Sequence, residues 1–99
     1  MPTMSAEFSS IRNHNEQAVF DAVLAGLPRY PGLAERADLL ADVACVALNR
    51  LQPRYIRHKV DLAFYQTGRE RSNHAKAVAD AVESAFGFVQ ARAAMRARG

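Results

Sequence analysis

With 99 residues the chain has room for one hydrophobic core and not for a second, and a domain this small buries so modest a share of its surface that self-association would help it. Alanine and aliphatic residues dominate, aromatics make up 8% and tryptophan is absent, a composition suited to packed helices and not to a sandwich or barrel. The net charge of +3 favours anionic partners without naming them, and the lone Cys45 excludes a disulfide framework and a paired-cysteine zinc site.

The opening MPTMSAEFSS has no apolar leader pattern, and no apolar run approaches the ~20 residues of a membrane span. A soluble, cytoplasmic protein of bacterial type is expected, with residues 1–8 as a flexible tail and 1–99 as one domain. Ser9 and Ser10 are candidate N-caps for a first helix, because a serine hydroxyl can accept an orphan N–H of the first turn. Behind them Val19, Phe20, Val23, Leu24 and Leu27 form an apolar stripe of helical spacing. Gly26, Pro28 and Pro31 end it.

A second helix is predicted from between Leu33 and Asp38 to about Leu51. Its buried face would be Leu39, Leu40, Val43, Val46, Ala47 and Leu51, and Cys45 among these residues reads as a buried structural thiol. Gln52-Pro53 stops the helix, since the residue before proline is driven out of the helical region. PRYIR is then extended or a turn, HKVDLAFYQ a helix of about two turns, and TGRERSN a loop pivoting on Gly68. The last helix starts at His74, with Val78, Ala81, Val82, Ala85, Phe86 and Val89 as its stripe. Gly87 costs that helix about 1 kcal/mol against alanine and would let a second backbone approach. The expected fold is all-α, a single domain of four to five helices packing as a homodimer.

Charge is unevenly spread along the chain. Residues 1–49 carry three basic and six acidic side chains, a balance of −3, and residues 50–76 carry seven and two, a balance of +5. The basic concentration falls on NRLQPRYIRHKVDLAFY. On the short helix predicted there, His58, Asp61 and Tyr65 share one face, with Arg57 four before Asp61. Arg54 and Tyr55 stand just upstream, and Asn49 and Arg50 close the preceding helix. Guanidinium groups bind phosphate through a planar fork and match the O6 and N7 acceptors of guanine. A carboxylate accepts from guanine N–H groups and a tyrosine offers a stacking face. These are the parts of a pocket for a phosphorylated purine. The plainer alternative is an exposed Arg57–Asp61 pair worth little, with both tyrosines packed in the core and His58 at a helix end.

Two stretches carry a family resemblance. Asn13 and Glu16 form an N-x-x-E start, and Asp42, Val43, Ala47, Leu48, Asn49, Leu51, Pro53, Arg54 and Tyr55 follow the pattern D-[IV]-x-x-x-A-L-N-x-L-P-P-R-Y. Over Ile11 to Tyr65 the chain resembles the late-competence ComFB family, in a cysteine-poor branch. Gln52 departs from the first proline of the usual pair. Many members carry cysteines ahead of the aspartate, consistent with zinc, whereas this chain has LAERADLLAD there; neither a metal nor a cofactor is carried over. The resemblance implies an all-helical homodimer without known catalytic activity. It also implies a receptor for a cyclic dinucleotide, cyclic di-GMP before cyclic di-AMP, that signals through a protein partner.

On chemistry, Arg54 and Arg57 would meet phosphate or the guanine edge, Asp61 would read guanine N–H groups, and Tyr55 or Tyr65 would stack. His58 and Asn49 would complete the lining, with Arg12 and Asn13 as lesser candidates. The alternative is a protein-only adaptor, dimerising through the small residues Ala81, Ala85 and Gly87. Duplex DNA is disfavoured because Asp80 and Glu83 interrupt the basic residues of the last helix. An enzyme is disfavoured because no nucleophile, metal or cofactor motif accompanies His58, Asp61 and Tyr65.

Overall fold

The structure, a computed structural model, describes residues 6–58, 60 and 66–98. Among them are three α-helices: α1 (Asn15–Gly26), α2 (Ala37–Arg50) and α3 (Gly68–Arg98). Single 3-10 turns occupy Phe8–Ser10 and Leu27–Arg29. Two-residue strands β1 (Arg12–Asn13) and β2 (Tyr55–Ile56) pair antiparallel, Arg12 opposite Ile56 and Asn13 opposite Tyr55. The fold is all-α, the ribbon being a clasp and not a layer. Most of the short helix expected over His58–Gln66 lies outside the described residues.

Helix α3 packs against both others. Val19 and Val23 of α1, Leu39, Val43, Ala44 and Ala47 of α2, and Val78, Ala81, Val82, Ala85, Phe86 and Val89 of α3 make one buried cluster with Leu33. Phe86 is fully buried and stacks on Tyr30, the rings 4.2 Å apart and nearly parallel. A Cβ on Gly26 would come within 2.9 Å of the Phe86 ring, so the end of α1 can approach α3 only as glycine. The α3 stripe is as its periodicity predicts. Among the described residues no helix is long and apolar enough to cross a membrane.

Several boundaries and burials differ from expectation. Ser9 and Ser10 do not cap α1; they lie in the 3-10 turn, where the Ser10 hydroxyl donates to the Glu7 carbonyl at 2.6 Å. Instead the Asn13 side-chain oxygen accepts the Asn15 N–H at 3.1 Å, and the helix begins there. TGRERSN is not a loop. Thr67 accepts the Glu70 N–H on its hydroxyl at 3.1 Å, starting α3 at Gly68, two turns before His74.

Phe20 and Leu24 are 42% and 61% exposed, because α1 meets its neighbours through Val19, Val23 and Gly26 and the next position round passes beyond the contact. Cys45 is exposed, not buried: α2 turns Val43, Ala44 and Ala47 inward and Cys45 outward beside Asn49. Ala81 and Ala85 are buried within their own chain and are not a dimerisation stripe, although Gly87 faces open space.

Candidate functional site

Beyond the core, α1, α3 and the segment after α2 are joined by polar groups. The β1–β2 clasp brings Arg12 and Asn13 alongside Tyr55 and Ile56. Asn13 Oδ1, already capping α1, also accepts the Arg54 N–H at 3.1 Å, and the His14 N–H donates to the Arg54 carbonyl at 2.6 Å. Asn15 is 1% exposed. Its Nδ2 donates to the Gln52 carbonyl at 2.8 Å, while its Oδ1 lies 2.6 Å from His74 Nε2. The first bond fixes the orientation of the amide, so the oxygen must face His74 and Nε2 must carry the proton.

The His14 and His74 rings stack with centroids 5.2 Å apart. His74 is held below the ordinary imidazole pKa, first by partial burial and then by the positive charge of Arg54.

These contacts frame a cavity of about 460 Å³ whose lining includes Arg50, Arg54, Glu70, Asn73 and His74, with Asn15 at its inner side. The size is within the range of small-molecule sites. Arg50 reaches the Ser84 hydroxyl and lies over the Phe88 ring at 5.8 Å. The Arg54 guanidinium has no hydrogen-bond or ion-pair partner among the described residues. A second hollow of about 310 Å³ takes Arg12, Asn13, Glu16, Phe20 and Ile56 into its lining.

The predicted residues divide accordingly. Arg54 enters the larger cavity, and Arg12 and Asn13 enter the smaller one. Tyr55 is 67% exposed and is not a core residue. Arg57 turns to the N-terminal segment, donating to Ser10 Oγ at 2.9 Å and to Glu7 Oε2 at 3.0 Å. His58 is exposed. The Asn49 amide donates to the Cys45 carbonyl one turn back at 3.1 Å. Asp61 and Tyr65 lie outside the described residues.

Sequence reasoning missed Asn15, Glu70, Asn73 and His74. The signal was present in part. Extending the last helix back through Glu70 puts Glu70, Asn73, His74 and Ala77 on one face, and reading TGRERSN as a loop concealed it. Among the described residues no group of three or more His, Cys, Asp or Glu could hold a metal ion.

The family model described as late competence development protein ComFB matches residues 12–93, which takes in the β1–β2 clasp, the Asn15–His74 pair and α3 as far as Ala93. No curated protein and no solved structure matches the chain.

Proposed function

Because the chain belongs to the ComFB family, we propose that it is a non-enzymatic receptor for a cyclic dinucleotide, cyclic di-GMP before cyclic di-AMP, that signals through a protein partner. The observation that carries the reading is the Arg54 guanidinium, without a hydrogen-bond or ion-pair partner among the described residues, lining a cavity of ligand size with Arg50, Glu70, Asn73 and His74. Arg54 and Arg50 take the phosphodiester, where a guanidinium fork is at its strongest. Glu70 supplies a carboxylate for guanine N–H groups, a role shared with Asp61. Tyr55, already at the surface, stacks on a base, as does Tyr65. Arg57, His58, Asn49, Arg12 and Asn13 do not line this cavity and would meet only a ligand that extends beyond it.

The test is thermal melting against cyclic di-GMP, cyclic di-AMP, GTP and ATP. A ligand at a hundred times its Kd stabilises the native state by ~2.7 kcal/mol, a rise on the order of 10 °C for a domain of this size. One cyclic dinucleotide should give that rise, the mononucleotides none, and Arg54→Ala should abolish it with helical content retained. Binding that survives Arg54→Ala would remove the site from this cavity.

A second reading, a protein-only adaptor, is favoured by the exposed Phe20 and Leu24, one turn apart on the outer face of α1. The same face suits a homodimer, which light scattering would detect. No nucleotide effect, with a dimer lost on Phe20→Ser, would move the lead to this reading.

A further inference from the structure

Taking its ligand from the receptor reading, we infer that entry of an anion into the Arg50–Arg54 cavity is coupled to uptake of one proton by His74, so that the site senses ligand and pH together. His74 Nε2 is committed as a donor to Asn15 Oδ1 at 2.6 Å, because the Asn15 Nδ2 donates to Gln52. A second proton therefore enters at Nδ1, and the bond that ties α3 to α1 survives the change.

The groups around the ring decide when that proton is held. From the α1 side His14 stacks on it, and Asn15 contributes no charge. From the segment after α2 come Arg50 and Arg54, and from α3 itself Glu70, one turn earlier. Among the described residues an imidazolium in the empty cavity would add a third cation beside two guanidinium groups, with the Glu70 carboxylate to offset them. The neutral form of His74 is accordingly favoured there, by partial burial and by the Arg54 charge. A phosphodiester in the same cavity reverses the balance: it neutralises the arginines and presents anionic oxygens to the ring, which favours the charged form. Linkage then requires that whatever raises the proton affinity of His74 has its own affinity raised by protonation.

The experiment is calorimetric titration of the full chain with cyclic di-GMP near pH 6.5 in two buffers of different ionisation enthalpy, repeated from about pH 5.5 to about pH 8. Sulfate is the second probe. Neither ligand titrates in that range, so any proton exchanged belongs to the protein. The wild type should take up as much as one proton per ligand, with affinity rising up to about tenfold per unit fall in pH. His74→Gln, which keeps an N–H for Asn15, should remove the slope whatever its absolute affinity, and its melting curve checks that it folds.

Cyclic di-GMP binding with no proton exchange, or with the same slope in His74→Gln, overturns the coupling and leaves the receptor reading standing. Sulfate binding with uptake that His74→Gln abolishes, beside no binding of cyclic di-GMP or cyclic di-AMP, upholds the coupling and overturns the receptor reading. If neither sulfate nor either cyclic dinucleotide binds, both fall.

Discussion

Between Val78 and Val89, α3 is held by aliphatic and aromatic packing with no polar group buried in it; between Glu70 and His74 it is held by one imidazole bonded to one buried amide. The two regions belong to the same helix and answer to different physics. Packing tolerates replacement in proportion to volume, whereas a buried amide with two committed partners tolerates almost none, because each partner left behind is a desolvated polar group. The apolar half fixes where the helix lies, and the polar half fixes what its first turns can face. A ligand site can be built at the second because its side chains are not needed for the core.

Substitutions that separate the halves should differ in size and in readout. Phe86→Ala, at the centre of the packed half, should cost ~3–5 kcal/mol, enough to unfold most of a domain with a margin this thin; denaturant titration measures it. Asn15→Ala strands the Gln52 carbonyl and the His74 N–H and should cost ~1–3 kcal/mol. Unlike Phe86→Ala, it should change the His74 ring signals by NMR even where the protein stays folded. Equal effects of the two variants on those signals would dissolve the distinction between the regions.

The next effect is in pH. The folded-state pKa of His74 lies below its ordinary value of 6.5, so the unfolded chain binds more protons there. This group's contribution is therefore complete above about pH 6.5 and is lost as pH falls through the lower folded value. The ligand-free melting temperature should decline on acidification through that window, and less so in His74→Gln. The smallest effect belongs to Arg57→Gln. Its pair with Glu7 joins side chains 49% and 77% exposed, and its loss should change stability by less than ~1 kcal/mol.

Legibility in the sequence followed the same division. The α3 stripe could be read from Val78 to Val89 because burial on a helix repeats with its pitch. The proline after α2 marked a true stop, with Arg50 the last helical residue and Leu51 extended. Arg54, singled out because a guanidinium binds phosphate and matches the guanine edge, does line the larger cavity. Asn15 and His74 were not found. Their partnership spans 59 residues and leaves no periodic trace in either local stretch. Phe20 and Leu24 were assigned inward because hydropathy records what a side chain prefers, and α1, packed against α2 and α3, has room for a narrow buried arc only. Cys45 went wrong for the same reason.

The bonds of Asn15 reach across 37 residues to Gln52 and 59 to His74, while Asn13 reaches across 41 to Arg54. Gly26 meets Phe86 across a loop just as long, but there the lost chain entropy is offset by buried apolar area, whereas each of these polar bonds returns only about 1 kcal/mol net. These polar bonds should therefore form after α1, α2 and α3 have docked, and should open before them. In a hydrogen-exchange experiment the amides of His14 and Arg54 should lose protection at lower free energy than those of Val82 and Phe86. On this order of assembly, the polar end is a late-closing unit on a scaffold already formed, free to open and refill without the core taking part.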